Sequence, residues 1–546
     1  MEKRGYGVGI QSFEDMISRE CVYVDKTAYI YKMAQSKAKA FFLSRPRRFG
    51  KSLLISTMKA YFEGKRDLFK GLAIDKMETE WTAYPVIRID FSRGKYYEFE
   101  QVHSVINDIL KEFESQWNII EVDDPYRYDT RLTNIIKRAY QQTGRQVVVL
   151  VDEYDAPMLD SIHNPELQSH IRDRIRSLFS PLKAQSDYLR FVFLAGISKF
   201  SQLSIFSELN NLNVLTFDAE YEGICGITEE ELLTQLKPDI EWLTEVMKKS
   251  FPQTTLADTV AQLKRRYDGY HFSKNMADVY NPWSLIYAFE KGEIQDYWFS
   301  TGTPTMLVEL LQSKRMEWTA LEHIEVNISR FDAPTERIND PIPVLFQSGY
   351  LTLKAYDPQT DLYTLGFPNE EVHRGFAGSL YQYYMEPSYS GPDGIEVIFK
   401  KFSVKRATFE QFMESIRKWY SSIPYNITDR NQNEQFYQSL LYALLVALGA
   451  DVWAEESTSN GRMDIVLKMT DAIYIIEFKY DKSAEEAVSQ IVDKNYAMRF
   501  SSDSRPVYAV GLNIDKDQRS IDDWTINKIE QEAPHHIPRT DPVGRA

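Results

Sequence analysis

Cysteine is nearly absent. The 546-residue chain has two, Cys21 and Cys225, far apart and without metal-ligand spacing, which excludes a disulfide framework and a cysteine-based zinc site and fits a reducing cytoplasm. Long apolar runs are missing too. The longest, Leu440 to Ala450, is far short of a membrane span. The N-terminus, Met1-Glu2-Lys3-Arg4-Gly5-Tyr6-Gly7, has no apolar segment of the kind found in a signal peptide. A cytoplasmic protein without a membrane partner is expected. Positive charge is in deficit: a net charge of −15 argues against coating nucleic acid by bulk charge and leaves room for a local basic groove only. No internal repeat and no long low-complexity tract occurs. What the chain has in quantity is core material, 43% apolar residues with 34 tyrosines and 30 phenylalanines, over a length that predicts roughly two to four domains.

One stretch organises the rest. Ala40-Phe41-Phe42-Leu43-Ser44 is a short apolar run that ends in a basic loop, Arg45-Pro46-Arg47-Arg48-Phe49, closing on Gly50-Lys51-Ser52. Leu53 to Phe62 follows with apolar residues at helical spacing. Strand, loop and helix with Gly-Lys-Ser at the helix start is the layout of a phosphate-binding loop. The unpaired N–H groups and partial positive charge of a helix N-terminus attract phosphate. Gly50 lets the backbone come close, Lys51 reaches the β- and γ-phosphates, and the Ser52 hydroxyl suits Mg²⁺. Arg45, Arg47, Arg48 and Phe49 complete the expected cradle. The general pattern wants glycine five residues before Gly50, where Arg45 stands, so the stretch alone reads equally as a basic turn before an amphipathic helix.

Before the loop, a helix to about Ala38 is expected. After it, Pro85 to Phe91 alternates like a strand, and 98–117 and 131–142 read as helices. In Gln146-Val147-Val148-Val149-Leu150-Val151-Asp152-Glu153 an apolar run meets two acids, as in a buried parallel strand with acids at its carboxyl end. Asp152 is expected to hold the Mg²⁺ shell and Glu153 to orient or deprotonate the attacking water. Strands at Leu189–Lys199 and Asn213–Phe217 continue the alternation, which predicts an α/β parallel sheet over 1–225 with ligands at the carboxyl ends of its strands. Thr228-Glu229-Glu230-Glu231 is a capping box. It opens a helical lid or adaptor, 226–395, with short strands within 341–367 and a Gly/Pro-rich break at Ser390–Gly394. The polar tail 531–546 is expected to fray.

The span 396–530 carries a second constellation. A helix with Tyr437, Leu441, Leu444 and Leu448 on one face precedes a hairpin. Its first strand holds Gly461-Arg462-Met463-Asp464 and its second Glu477-Phe478-Lys479, with twelve residues between Asp464 and Glu477. Residues two apart on a strand share a face, so Glu477 and Lys479 project together and a paired strand sets Asp464 beside them. Two carboxylates and a lysine suit metal-assisted phosphodiester hydrolysis. Asp464 and Glu477, with the Phe478 carbonyl, offer hard oxygens to Mg²⁺ or Mn²⁺. Lys479 positions or activates water, Glu434 tunes the metal, and Gln490 and Tyr496 face the site from the following helix. A surface hairpin with a same-face Glu–Lys pair is the plainer alternative, but the run Ile473–Ile476 implies burial, where an acid and a lysine are costly unless used.

Together with Gly9-Ile10-Gln11-Ser12-Phe13, Tyr23-Val24-Asp25-Lys26-Thr27 and Val151-Asp152-Glu153-Tyr154-Asp155, these motifs resemble bacterial proteins that join an AAA-ATPase-like domain to a C-terminal PD-(D/E)XK nuclease-superfamily domain. The resemblance covers most of the chain. It implies a P-loop NTPase fold with Mg-ATP and a restriction-endonuclease-like α/β fold with Mg²⁺. In ATPases of this kind a polar residue after a core strand senses the γ-phosphate, which points to Ser198 or Lys199. Asp464 follows Met463 where the nuclease pattern often has proline. The resulting expectation is an ATP-binding and ATP-hydrolysing protein coupled to a metal-dependent nuclease acting on nucleic acid, DNA before RNA, with a homo-oligomer left open. Its rivals are a nucleotide-switched interaction protein that binds without cutting and a nuclease whose ATPase fold is a relic.

Overall fold

The computed structural model describes residues 3–119, 124–161, 164–198, 212–299, 319–332, 340–384, 394–423, 434–458 and 461–529. The chain clusters into two compact units, Met1–Gly302 with Leu321–Val372, and Thr303–Ala320 with His373–Ala546. The segment expected as an adaptor, 226–395, is therefore shared between them, most of it with the first. The expected break at Ser390–Gly394, apart from its last residue, and the tail 531–546 lie outside the described residues.

In the first unit β1 (Ala40–Ser44), β2 (Val86–Asp90), β3 (Val147–Asp152), β4 (Leu189–Gly196) and β5 (Leu212–Val214) form one sheet in the order β2-β3-β4-β1-β5. Every neighbouring pair is parallel. β3 is buried along its whole length, the condition that lets a parallel strand run apolar without alternation. One face of the sheet, through Phe42, Ile87, Ile89, Val149 and Val192, joins a core with the helices Phe99–Gln116, Tyr128–Thr143 and Pro165–Phe179. The helix Lys51–Phe62 covers the other, with Phe62 on Phe191 at 4.8 Å between ring centroids. β1 is thus separated from β3 by β4, and the carboxyl ends of all three meet at one edge.

A second apolar cluster gathers the helices Glu229–Thr234, Lys237–Lys248, Leu256–Tyr267 and Pro282–Lys291 with β6 (Ile227–Thr228) and β7 (Val279–Tyr280). The capping box at Thr228 forms with both of its hydrogen bonds. The N-terminal lead-in is clamped onto this cluster. Lys26 reaches the Gly223 carbonyl at 2.7 Å and the Glu231 carboxylate. Asp25 accepts from the backbone of Thr27 and Ala73, so Tyr23–Thr27 is structural in this fold. β8 (Ile324–Val326), β9 (Thr352–Asp357) and β10 (Leu362–Gly366) form a small antiparallel sheet.

The second unit is built on β11 (Asp451–Thr458), β12 (Gly461–Lys468), β13 (Ile473–Tyr480), β14 (Val507–Asp515) and β15 (Ser520–Ile529), in sequential order. Only β13 and β14 are parallel in this sheet, and the helix Ala484–Asp493 makes the crossover that a parallel pair requires. The helix Glu434–Ala447 buries Tyr437, Leu441 and Leu444 as expected, while Leu448 follows its end and is half-buried.

Candidate active sites

At the edge where β1, β3 and β4 end, the chain leaves Ser44, turns through residues 45–50 and enters the helix at Lys51. Gly50 caps that helix with φ 89°, a left-handed setting that glycine adopts at little cost. Residues far away in sequence hold the loop. Phe49 lies edge-on to Tyr270 and Phe272 at 4.8 and 5.6 Å, and its carbonyl accepts from Gly226 N at 3.1 Å. The Trp298 indole donates to the Arg47 carbonyl at 3.2 Å. Arg48 stacks its guanidinium over Trp283 at 4.0 Å. Gly349 abuts Pro46 so closely that a Cβ there would stand 2.6 Å from the proline ring.

Arg45 does not line the cradle as expected. It is 1% exposed and its guanidinium donates to the carbonyls of Ser44, Thr216 and Tyr221 while resting over Phe272. It braces the loop from inside, and burial lowers its pKa. Arg47 and Arg48 are exposed. Lys51 is buried, and its ammonium donates to the Arg45 and Pro46 carbonyls at 2.8 Å each. Burial pushes its pKa down, partly countered by Asp155, Glu153 and Asp152.

Asp152, 1% exposed, ends β3 beside the helix that carries Ser52. Its Oδ2 accepts from Arg88 at 3.1 Å and its Oδ1 is buried without a hydrogen-bond partner. Burial raises its pKa and the charge of Asp90 adds to this, against Arg88 and the neighbouring Ser52 hydroxyl. Glu153 takes φ 48°, a strained setting for a residue with a side chain, and burial followed by Asp152 raises its pKa. Asp155 ties β3 to β4: its Oδ2 accepts from Ile197 N, Ser198 N and Ser198 Oγ at 2.7 to 2.9 Å. Its Oδ1 has no hydrogen-bond partner. Ser198 is thus fixed at the site edge, while Lys199 lies outside the described residues. The structure brings Lys51, Ser52, Asp152, Glu153 and Ser198 to one edge and adds Arg88, Asp90 and Asp155. Unpartnered carboxylate oxygens beside a buried ammonium and a helix N-terminus fit a cation–triphosphate pair.

One buried acid couples the loop's roof to solution pH. Glu371, fully buried, accepts from the backbone N–H groups of Tyr297 and Trp298, the latter at 2.6 Å. Burial raises its carboxyl to about 7. The native state then keeps a proton that the unfolded chain releases near the ordinary glutamate range, so stability falls as pH rises from about 4.5 through about 7, by on the order of 3 kcal/mol. Glu371→Gln removes this slope: the difference in melting temperature between variant and wild type, followed by calorimetry, should grow in the variant's favour across that window and level off above it.

In the second unit the ladder between β12 and β13 ends at the pair Ile465 and Ile476. Beyond it Asp464 Oδ2 accepts from Phe478 N at 2.9 Å. Glu477 and Lys479 lie on the face of β13 that carries Ile473 and Ile475 against Val488 and Ile491 of the crossover helix. Gly511 lets that helix press onto β14, since a Cβ would stand 2.0 Å from the Ala484 carbonyl. Gln490 thereby reaches Glu477 Oε1 and donates to it. Lys479 is 8% exposed, donates to the Phe478 carbonyl at 2.9 Å and stands 3.9 Å from Glu477 Oε1. Glu477 Oε2 is buried without a hydrogen-bond partner. Burial, then the charge of Asp464, holds the Glu477 carboxyl well above the usual range, against Lys479; Glu434 adds to the rise. Gln438, on the helix Glu434–Ala447, donates to the Asp464 carbonyl at 3.0 Å. Tyr496 falls beyond the end of the crossover helix, on its own short turn, in the apolar cluster with Met463, Val466 and Ile473. No group of three His, Cys, Asp or Glu side chains able to hold a metal occurs among the described residues. The second site therefore offers a cation two carboxylates and a carbonyl, an orphaned buried oxygen among them, and these fit a hard divalent ion that keeps much of its water.

Residues 7–206 match a family model described as predicted AAA-ATPase, and residues 432–524 match the PD-(D/E)XK nuclease superfamily. A protein of Azotobacter chroococcum mcd 1, described as "Uncharacterized protein in vnfD 5'region", is 32% identical over 547 residues, covering 97% of this chain and all of the relative. The chain belongs to this family of AAA-ATPase-like proteins with a PD-(D/E)XK nuclease-superfamily domain. The first match ends before Gly226, Tyr270, Trp298 and Gly349, so the loop's roof lies beyond the region matched to the ATPase model. No helix among the described residues is long and apolar enough to cross a membrane.

Proposed function

We propose that the protein binds and hydrolyses ATP and couples it to a metal-dependent nuclease that cuts phosphodiester bonds in DNA. The observation that carries the nuclease half is the trio Asp464, Glu477 and Lys479 at the point where β12 and β13 part, Glu477 and Lys479 buried and Asp464 half-buried, with one Glu477 oxygen left unpartnered. The ATPase half is supported by Lys51 buried beside Asp152, Glu153 and Asp155. Gly50 and the helix N-terminus cradle the phosphates. Lys51 exchanges its loop carbonyls for phosphate oxygens, Ser52 and Asp152 hold the metal side, Glu153 orients water, and Ser198, fixed by Asp155, faces the terminal phosphate. At the other site Asp464, Glu477 and the Phe478 carbonyl hold the ion, Lys479 orients water, and Gln490 fixes the Glu477 carboxylate. Mg²⁺ or Mn²⁺, when bound, supplies positive charge beside phosphate oxygens at both sites. The test is incubation of the full chain with DNA and RNA, with Mg²⁺ or Mn²⁺, with and without ATP. Metal-dependent cleavage of DNA is expected; absence of cleavage under every condition sinks the nuclease half.

A further inference from the structure

The Gly9–Phe13 motif and the polar residues of β2 remain without a role. Arg88 and Asp90 stand two apart on β2 and share a face, and the register pairs Asp90 with Asp152. The Arg88 guanidinium bridges the two carboxylates, one nitrogen at 3.1 Å from each. Its Nε is buried without a hydrogen-bond partner. Asp90 is further tied to Ser92. Beside the pair lies a polar cavity of about 330 Å³ lined by Gln11, Ser12, Ser56 and Lys59 together with Arg88 and Asp90. The backbone of Phe13 is pinned to Ser56 Oγ at 2.9 Å, so the Gly9–Phe13 segment forms one wall of that space.

We propose that Arg88 is a built-in counter-cation for the metal side of the ATP site: it holds Asp152 in the metal-free protein, competes with the divalent ion for it, and withdraws toward the Gln11–Ser12 cavity when the ion arrives. The proposal rests on the ATP reading above. Two like charges at the ends of neighbouring strands repel, and the fixed guanidinium offsets them until a better cation comes. Its partial attachment, by one nitrogen with Nε unpartnered, leaves it less firmly bound than a bidentate pair. Arg88 acts through Asp152 and is a positioning residue.

The signature is a change in metal–nucleotide coupling. A fluorescent ATP analogue is titrated onto the full chain in EDTA and in Mg²⁺, and the ratio of the two Kd values is compared among variants; this readout is blind to metal at the nuclease site. In Arg88→Gln, metal-free binding should weaken about tenfold, because the triphosphate meets uncompensated carboxylates, while Mg²⁺-supported binding holds or tightens. The ratio then grows at least about tenfold. Arg88→Lys, which keeps the charge, should stay near the wild type. Asp90→Asn, which leaves Arg88 wholly to Asp152, should shrink the ratio. An unchanged ratio in Arg88→Gln, with both affinities falling together or neither moving, overturns the proposal, as does an unchanged ratio in Asp90→Asn should the glutamine variant not fold. A wild type that binds no nucleotide in either buffer removes the ATP reading itself, a result distinct from a wild type with normal coupling and an indifferent Arg88.

Discussion

Lys479→Ala should abolish cleavage of DNA while leaving DNA binding in Ca²⁺ intact. The lysine is 8% exposed and makes its hydrogen bond to the carbonyl of Phe478, a proposed metal-side oxygen, so its charge is aimed at the site and not at solvent. A fixed cation in a dry site, at the place where charge develops, contributes on the order of a thousandfold to rate. Because alanine also opens a cavity, Lys479→Met is the matched control: it keeps most of the volume and loses the charge, and it should be as inactive as alanine with an unchanged melting temperature. Cleavage by the methionine variant within about tenfold of wild type would remove Lys479 from the chemistry. A pH effect belongs to the same trio. The Glu477 carboxyl is held above its usual range by burial and by Asp464, and its neutral form is a poor ligand. The Mg²⁺ concentration for half-maximal cleavage should therefore fall as pH rises from about 6 to about 9, and Glu477→Gln, which lacks the titrating carboxylate, should abolish cleavage at every pH.

Some of this site could be read from the sequence because its signals are local. The continuous apolar run before Asp152 announces a strand buried on both faces, and the structure buries β3 throughout. The spacing of two between Glu477 and Lys479 puts them on one face of any strand. Arg45 was misleading because its partners are Thr216 and Tyr221, some 170 residues away in sequence; the turn itself gives no hint that the side chain points inward. The roof of Gly226, Tyr270, Trp298 and Gly349 is equally non-local. Arg88 and Asp90 were partly legible, since the alternation of Val86 to Asp90 exposes a polar face, but their meaning needs the register that sets Asp90 beside Asp152. Tyr496 is set off from the crossover helix by the residue before it. Asn495 takes φ 51° and ends the helix before it, a left-handed setting that asparagine accepts more readily than most residues.

The second large effect is expected at the loop. Lys51→Met should reduce ATP affinity about a hundredfold or more, measured with a fluorescent analogue in Mg²⁺. The wild-type ammonium already sits buried, satisfied by two carbonyls of its own loop and with its charge favoured by Asp155, Glu153 and Asp152. Nucleotide binding replaces weak dipolar partners with phosphate oxygens, so the bound state gains more from the charge than the free state does. Methionine keeps the apolar length and avoids a hole, although it leaves the Arg45 and Pro46 carbonyls without their donor. That side effect is separable. Loss of the donor loosens the loop and should lower the melting temperature by a few degrees at most, with no dependence on nucleotide. Loss of the phosphate partner should remove the rise in melting temperature that saturating Mg-ATP produces in the wild type, an increment fixed by the ratio of ligand concentration to Kd. A methionine variant that still gains stability from Mg-ATP at wild-type concentrations would place the triphosphate elsewhere, and the assignment of Asp152, Glu153 and Ser198 to its metal and terminal phosphate would fall with it.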